Sequence, residues 1–571
     1  MSDLTLGGTS TPRAIPAVTL PAAQSDRASL TVWIAILAAM IGAFMAILNI
    51  QITNASLLYI EGGIGTGVDN GSWISTSYLI GEIVVIPLTD YLSRVFSFRN
   101  IMLWFASLFA AFSVACAFTH DLPSMIAMRA FQGFFGGVLI PMAFTLVFTK
   151  LPKAQQPIGL AMFSLAVTFA PAIGPTIGGY LTENYGWQTI FFVNIVPTAV
   201  MVTTLYLTLE RQPLNLGLLR EGDWFGIATM AVGLAALQSV LEEGNKDDWF
   251  GSPFIVRLAI LTAVSLALFV ANELIVEKPL VRLRLLTQRS FGLGTVSAIF
   301  VGFALFGSVY LLPAYLGQVQ RYNAEQIGTV LAWTGLPQLL LIPLVPKLMQ
   351  RFDIRYIAFT GMSIFALSSF MNTAMSPDYA GDQLFIPNLV RAVGQALMLA
   401  PLSAISLGSV APQDAAAASG ISNMMRNLGG AVGTAMLATI VTKREQFHSN
   451  IIGQSVNLGR EEVRARIAQM TDYFMAHGTT DPAGARHEAI VALGKLVKQQ
   501  AYVMAFSDTF AVIGIVLVLA GIAILLTGKP KGAAAASAGA MPLSASAESG
   551  VNINACPTAR TMFGTKNWSP A

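Results

Sequence analysis

Fourteen stretches of about 20 mostly apolar residues recur along this 571-residue chain, and each is long enough to cross the hydrocarbon core of a bilayer. They centre near Phe44, Val84, Phe109, Val138, Phe169, Ala199, Val232, Ser265, Val301, Leu340, Ile364, Met398, Val432 and Val516; the eleventh merges into the polar run NTAMSPDYAGD. In lipid the backbone must satisfy its own hydrogen bonds, and apolar runs of this length do so as helices. Composition agrees: 54% of the residues are hydrophobic and 11% charged, against about a quarter charged in a soluble domain. The chain reads as an all-α integral membrane protein with 14 transmembrane helices. The net charge of +3 is too small to suggest a nucleic-acid partner. Cys116 lies in an apolar span and Cys556 in a polar tail, so no disulfide framework is expected. Residues 1–30 lack the apolar core of a signal peptide, so the first span itself is expected to direct insertion.

An even number of spans puts both termini on one side, and loop charge selects which. The loops after spans 2, 4, 6, 8 and 10 carry thirteen Lys and Arg, among them Arg94, Arg99, Lys150, Lys153, Lys278 and Arg355. The opposite loops carry Lys246, Arg321 and, at a span edge, Arg257. Both termini are therefore expected in the cytoplasm. The loop 443–500 falls outside although it holds eight Lys and Arg; long loops translocate largely regardless of charge. It contains two weakly amphipathic stretches, around 460–476 and 486–500, and a loop of that length is usually functional or disordered. The Ala/Ser/Gly-rich tail after Lys531 is expected to be disordered.

The chain repeats itself. Pro87, Leu92, Phe96, Arg99 and Ile101 return as Pro343, Leu348, Phe352, Arg355 and Ile357, a shift of 256, and Gly174/Gly178 return as Gly429/Gly433, a shift of 255. This divides the chain into a tail (1–30), a six-helix bundle (31–211), two inserted spans (212–285), a second six-helix bundle containing the loop 443–500 (286–528) and a tail (529–571). Secondary transporters are commonly built from repeats, with the substrate site near the midplane between them.

In the fifth span, LAVTFAPAIGPTIGGYL, the residues Pro171, Gly174, Pro175 and Gly178 fall on one stripe of a helix, with Gly179 alongside. Prolines inside a span bend it, and small residues on one face let another helix approach closely. This pattern resembles the motif aPxxGPxxGG of the fourteen-span drug/proton antiporters of the EmrB/QacA type, within the major facilitator superfamily. The resemblance extends from about Ile34 to Leu526 and is closest to the EmrB branch. It includes Trp73 to Tyr78 in the second span and Arg129-Ala-Phe-Gln132-Gly133 for the fourth-helix motif RxxQG. Trp187 and Asn194 match the start of the sixth helix, Pro313, Gln318 and Tyr322 the end of the ninth, and Ser422, Asn423, Arg426 and Gly430 the thirteenth. Two motifs depart from the family. Its first-helix LDxTxxN reads Leu48-Asn49-Ile-Gln51-Ile-Thr-Asn54, so the acid is lost. In its loop motif GxLaDrxGrr, Asp90 replaces the first glycine, Arg94 the aspartate and Ser97 the second glycine.

The resemblance implies a six plus two plus six major facilitator fold and a bacterial inner-membrane exporter, driven by the proton gradient without a bound cofactor, that exchanges protons for amphipathic organic compounds. It implies that the fifth-helix stripe packs the two halves together at the outer side and limits leak. It also implies a membrane-fusion adaptor and an outer-membrane channel as partners, with the lipid bilayer around the spans. Two alternatives remain: a dedicated exporter of one endogenous metabolite, and a non-transporting membrane sensor of the same fold. Enzyme signals are absent: no GxxxxGK[ST] occurs, and His487-Glu488 lacks the second His of HExxH.

Glu82 sits mid-span, where a bare carboxylate costs at least ~2.5 kcal/mol; it either carries protons or stays neutral in a helix contact. Arg129 keeps its charge, so it tunes a nearby acid, binds backbone carbonyls or snorkels outward; the family links it to proton coupling. Asp508 is a third coupling candidate or a solvated helix end, and Glu273 reads as interfacial. Arg391 and Arg426 need partners within apolar runs. Arg426, with Asp90, Arg94 and Arg99, is a gate candidate or a structural pair. For substrate, Asn49, Gln51, Thr53 and Asn54 offer polar groups, and Phe303, Phe306 and Tyr310 an aromatic stripe that serves either as lining or as helix packing.

Overall fold

The computed structural model describes residues 28–66, 68–152, 155–276, 279–411 and 414–528. Except for residues 28–30, the two tails lie outside the described residues, as do Lys153, Lys278 and Cys556. Among the described residues the regular structure is helical. The first half contains α1 (Leu30–Ala55), α2 (Leu57–Ile64), α3 (Trp73–Val85), α4 (Thr89–Phe96), α5 (Phe98–Ala117), α6 (Leu122–Gly137), α7 (Leu139–Lys150), α8 (Gln156–Tyr185) and α9 (Ile195–Thr208). Then come the pair α10 (Trp224–Glu243) and α11 (Pro253–Ile275). The second half contains α12 (Arg289–Gln318), α13 (Ala324–Leu341), α14 (Ile354–Met371), α15 (Gly381–Gly408), α16 (Ala415–Ser455), α17 (Glu461–Ala476) and α18 (Pro482–Leu525).

Helix starts follow local chemistry. The Ser29 side chain accepts from Val32 N at α1, Asp121 from Ser124 N at α6, and Asp481 from the first amides of α18. Asn323 and Gln326 form a reciprocal capping box at α13. Each satisfies amides that a helix leaves unpaired at its start.

Eleven helical stretches, counted among the described residues with α6 and α7 taken together as Leu122–Lys150, α9 taken from Thr189 and α13 taken on to Arg351, are long and apolar enough to cross a membrane, and α8 makes twelve if its two arms count as one span. The other two expected spans fall short for different reasons. α3 has 13 residues before the chain breaks at Ile86 to Leu88, around Pro87. α16 is long enough, but Asn423, Arg426 and Asn427 interrupt its apolar run. The loop 443–500 is mostly helical: α16 extends to Ser455, α17 follows, and the second amphipathic stretch is the first part of the 44-residue α18 rather than a separate helix.

In the first half α1 packs on α7, α8 and α9, and α3 on α6; in the second, α12 packs on α16 and α18, and α14 on α15 and α18. The halves meet where α8 lies against α13 and α15, and where α16 lies against α7 and α3. The inserted α10 leans on both α3 and α16. Its Glu243 is buried and accepts from Ser72 Oγ and Thr76 Oγ1, each at 3.0 Å. Just beyond it, Asn245 donates to Thr442 of α16 at 3.4 Å and the Trp249 indole to Thr439 at 3.0 Å. The inserted pair is thus hydrogen-bonded to both halves.

Candidate functional site

A cavity of about 50 Å³ lies between the halves. The first half lines it with Gln51 of α1, Glu82 of α3 and Pro171 of α8; the second with Phe306 of α12, Thr334 of α13, Arg391 and Gln395 of α15, and Arg426 and Asn427 of α16. Aliphatic residues such as Ile47, Ile50 and Leu305 fill the remaining wall.

Glu82 is 5% exposed. Its Oε1 accepts from Asn427 Nδ2 at 3.4 Å, a contact that crosses between the halves, and its Oε2 has no hydrogen-bond partner among the described residues. Two close helix approaches place it there. A Cβ on Gly81 would overlap the Ala130 carbonyl, and one on Gly133 the Tyr78 carbonyl, so only glycine lets α3 and α6 come this near. A Cβ on Gly137 would lie 2.9 Å from Glu82 Cα.

Arg129 is fully buried about two turns into α6. Its Nη1 donates to Asn49 Oδ1 at 2.5 Å and to Gln132 Oε1 at 2.7 Å, and its Nε to Ile74 O at 3.2 Å. Its guanidinium lies over the Tyr78 ring, 4.4 Å from the centroid. Of the three readings, binding to a backbone carbonyl within the bundle is observed in the Ile74 contact, snorkelling is not, and the tuning of a nearby acid stays a proposal. Asn49 occupies the position of the family's first-helix acid, so the guanidinium meets an amide where that motif supplies a carboxylate.

The fifth-helix motif sits at the break of α8, whose arms, Gln156–Pro171 and Ile173–Tyr185, diverge by 43°. Pro171 and Pro175 each remove a backbone donor, which is the physical cause of the bend. The glycine stripe does not face the other half. A Cβ on Gly174 would run into Gln51 Cβ, and one on Gly178 would lie 2.9 Å from Ile52 O, so both glycines seat α8 on α1 within the first half. Ser56 reinforces this contact by donating to Gly178 O at 3.3 Å. The contact of α8 with α13 instead uses Thr176 against Gly328, a glycine supplied by the other helix. Gly179 is buried beside the stripe. The sequence repeat reappears as packing, because Gly429 and Gly433 seat α16 on Ile299 and Phe303 of α12.

The structure separates the remaining candidates. Of the polar first-helix residues only Gln51 lines the cavity; Asn49 is held by Arg129, Thr53 donates to Asn49 O, and Asn54 accepts from Ser75. Of the aromatic stripe only Phe306 lines it; Phe303 packs against Gly433 and Tyr310 is 40% exposed. Asp508 lies outside the cavity lining, paired with Arg444 at 2.6 Å and His448 at 2.8 Å. Asp90 and Arg94 pair at 3.0 Å one turn apart on α4, and Arg99 donates to Tyr206 O at 2.9 Å. Arg426 lines the cavity and donates to Asn423 at 2.6 Å. Glu273 is buried and accepts from Val281 N at 3.2 Å.

Thr334, Gln395 and Asn427 escaped the sequence reading as lining residues. Gln395 follows Arg391 by one helical turn, a polar pair on one face of an apolar helix, which was a usable signal. Asn427 directly follows Arg426 and carried no signal of its own.

The Major Facilitator Superfamily model matches residues 39–434. The chain is 33% identical over 488 residues to the colistin resistance protein EmrB of Acinetobacter baumannii, a match covering 85% of this chain and 94% of that protein. It is 30% identical over 499 residues to the multidrug export protein EmrB of Escherichia coli K12, covering 87% and 95%. Among solved structures the fold is similar to the proton:xylose symporter XylE, with a TM-score of 0.53 at 14% identity over 86% of this chain and 94% of that one.

Proposed function

The chain belongs to the Major Facilitator Superfamily, and from that premise we propose a proton-coupled exporter of amphipathic organic compounds working by alternating access in the bacterial inner membrane. The family makes it a multi-pass membrane transporter and not an enzyme. Similarity to two resistance and multidrug export proteins supports drug efflux. The observation that carries the coupling is Glu82, a carboxylate in the cavity between the halves with one oxygen unpartnered and the other bonded across to Asn427. An intramembrane acid at a substrate cavity is a natural proton carrier.

Pockets for drug-sized ligands measure about 300–1,000 Å³. The cavity of about 50 Å³ is far smaller, so loading requires the halves to part. In this reading substrate enters from the cytoplasm while Glu82 is ionised, and a proton from outside takes its place after release. One proton falling through 100 mV supplies ~2.3 kcal/mol, enough for roughly a fifty-fold gradient of a neutral substrate. A monovalent cation exchanged for one proton gains nothing from the voltage, so neutral or weakly acidic substrates suit a single coupling acid. Fourteen spans with both termini in the cytoplasm complete the reading. It places the extension of α16, α17 and the first part of α18 in the periplasm, available to a membrane-fusion adaptor that continues to an outer-membrane channel.

The test is proton release from purified, detergent-solubilised protein on adding a panel of amphipathic compounds, wild type beside Glu82→Gln. Release by several unrelated compounds, lost in the variant, is expected. Release by one compound alone would favour a dedicated exporter, and no release by any would overturn the transport reading in favour of a sensor.

A further inference from the structure

A second cavity, of about 480 Å³, lies where the extension of α16, α17 and the first part of α18 come together, and it shares no lining residue with the cavity between the halves. Val456, Val463, Ile467, Leu493 and Val497 give it an aliphatic wall. Two glycines also line it, Gly453 on α16 and Gly494 on α18. Both stand within helices, where glycine is a poor choice, and a Cβ on either would meet no atom within 4 Å. Unlike Gly133 and Gly178, they serve no close helix approach, and neither has a positive φ. Their effect is to leave the cavity open. Its volume falls within the roughly 300–1,000 Å³ of ligand pockets, and it suits a single alkyl chain rather than the two chains of a membrane phospholipid.

The polar lining selects the head group. Ser449 and Lys498 alone are polar there, and Ser449 is committed to Glu445, to which it donates at 2.8 Å. Lys498 is exposed, with its Nζ 5.8 Å from the Tyr502 ring centroid, and it ion-pairs with no carboxylate among the described residues. The chain carries no Asp or Glu between Glu445 and Glu461 or between Glu488 and Asp508, the segments through which α16, its following turn and α18 line the cavity. The acids of α17, Glu461, Glu462 and Asp472, are exposed and outside the lining. Lys495 adds a second cation one turn before Lys498 on α18. An aliphatic cavity with an uncompensated ammonium at its edge complements an amphiphile that carries one negative charge.

We propose that this cavity is a binding site for a single-chain amphiphile with an anionic head, of the class of a medium-chain fatty acid. Its carboxylate pairs with Lys498, and its tail lies between the three helices against Val463, Ile467 and Leu493. The site is separate from the cavity between the halves and asks nothing of Glu82. With the loop 443–500 in the periplasm, as proposed above, the ligand is taken on the outer side of the membrane.

The test uses the purified full-length protein in lipid nanodiscs at about pH 8, with dansyl-aminoundecanoate as a fluorescent probe and laurate, dodecanol and dodecyltrimethylammonium as competitors of equal chain length. Saturable binding of the probe is expected, displaced by laurate, by dodecanol more weakly by on the order of tenfold, and not by the cation. Gly494→Phe fills the cavity from a position with free space, and Lys498→Gln removes the charge; each is expected to weaken the probe by on the order of tenfold or more while substrate-induced proton release persists. Equal binding by wild type and both variants would place the probe in the bilayer or between the halves and overturn the proposal, as would displacement by the cation as readily as by laurate, a comparison that needs no variant. A two-chain lipid retained by wild type but not by Gly494→Phe in native mass spectrometry, or a dimer lost in that variant, would give the cavity to a phospholipid or to a second copy instead. Glu82→Gln is expected to keep the probe and lose proton release, so the two sites stand or fall separately.

Discussion

Alanine replacement at four helical glycines turns the packing geometry into a graded stability series. Gly420 on α16 has no neighbouring atom within 4 Å of the point where a Cβ would sit, so alanine there costs no space. Alanine is favoured over glycine in a helix interior by about 0.8–1.0 kcal/mol, so Gly420→Ala is expected to stabilise the fold by up to that amount. At Gly178 the new methyl lies 2.9 Å from Ile52 O and 3.1 Å from Ile52 Cα, so α1 or α8 must shift by a few tenths of an ångström. Overpacking costs about 1–3 kcal/mol; set against the helix gain, the net loss is roughly 0–2 kcal/mol. At Gly133 and Gly429 the methyl overlaps the carbonyl oxygens of Tyr78 and Ile299, and backbone oxygens cannot rotate away as a side chain can. These two variants are expected to lose at least about 2 kcal/mol, the upper part of the overpacking range less the same helix gain. The assay is thermal unfolding of the purified variants in one detergent, followed by tryptophan fluorescence. The predicted order of melting temperature is Gly420→Ala, then Gly178→Ala, then Gly133→Ala and Gly429→Ala together. Gly133→Ala melting with Gly420→Ala would refute the claim that backbone contact between α3 and α6 sets the position of Glu82.

Glu82→Gln keeps the size of the side chain and an acceptor for Asn427, so the protein should reach the membrane in normal amount while the roughly fifty-fold gradient driven by 100 mV falls toward unity in proteoliposomes; a substantial residual gradient would remove Glu82 as the coupling acid. Arg129→Lys loses the planar fork that meets Asn49, Gln132 and Ile74 together. With hydrogen bonds to charged groups worth about 1.5–3 kcal/mol each, it should be destabilised by at least about 2 kcal/mol, and unchanged melting would show that the amide contacts do not matter. Asp508→Asn should preserve substrate-induced proton release, since Asp508 pairs with Arg444 and His448 away from the cavity; abolished release would restore it as a coupling residue. Outside the spans, burial holds the Glu61 carboxyl above its ordinary range, with Lys246 pulling it partly back. The folded chain then keeps a proton that the unfolded chain has lost, so stability falls as pH rises from about 4.5. Glu61→Gln should flatten that part of a melting-temperature profile against pH, and an unaltered slope would assign it to another group.

The apolar spans and the repeat were legible because each rests on many residues at once, and a single substitution does not erase them. Glu82 and Arg129 stood out for the opposite reason: each is one charged residue in an apolar run. What the sequence could not supply was direction. Gly174 and Gly178 declare a close approach without naming the partner, and the partner is α1 rather than the opposite half. Asn49, Gln51, Thr53 and Asn54 look equivalent as polar residues near the end of one helix. Which of them reaches the cavity depends on helix rotation and on Arg129 claiming Asn49 from another helix. Asp508 looked like a second intramembrane acid until α16 supplied its two partners.

The hydrogen bonds at the end of α10 bear on how the molecule can open. Besides the direct contact between the halves, the inserted pair is joined to each half separately, and those two joints are unequal. Toward the first half, the buried Glu243 carboxylate accepts two hydroxyl hydrogen bonds at 3.0 Å, and bonds to a charged group are the stronger kind. Toward the second half, the Asn245 and Trp249 bonds join neutral groups, supplemented by an exposed Lys443–Asp248 pair at 3.9 Å, and exposed pairs of that kind contribute little. When α3 and α16 part at this end, the inserted helices should therefore travel with the first half. The moving units would then be unequal in size, eight of the fourteen expected spans against six.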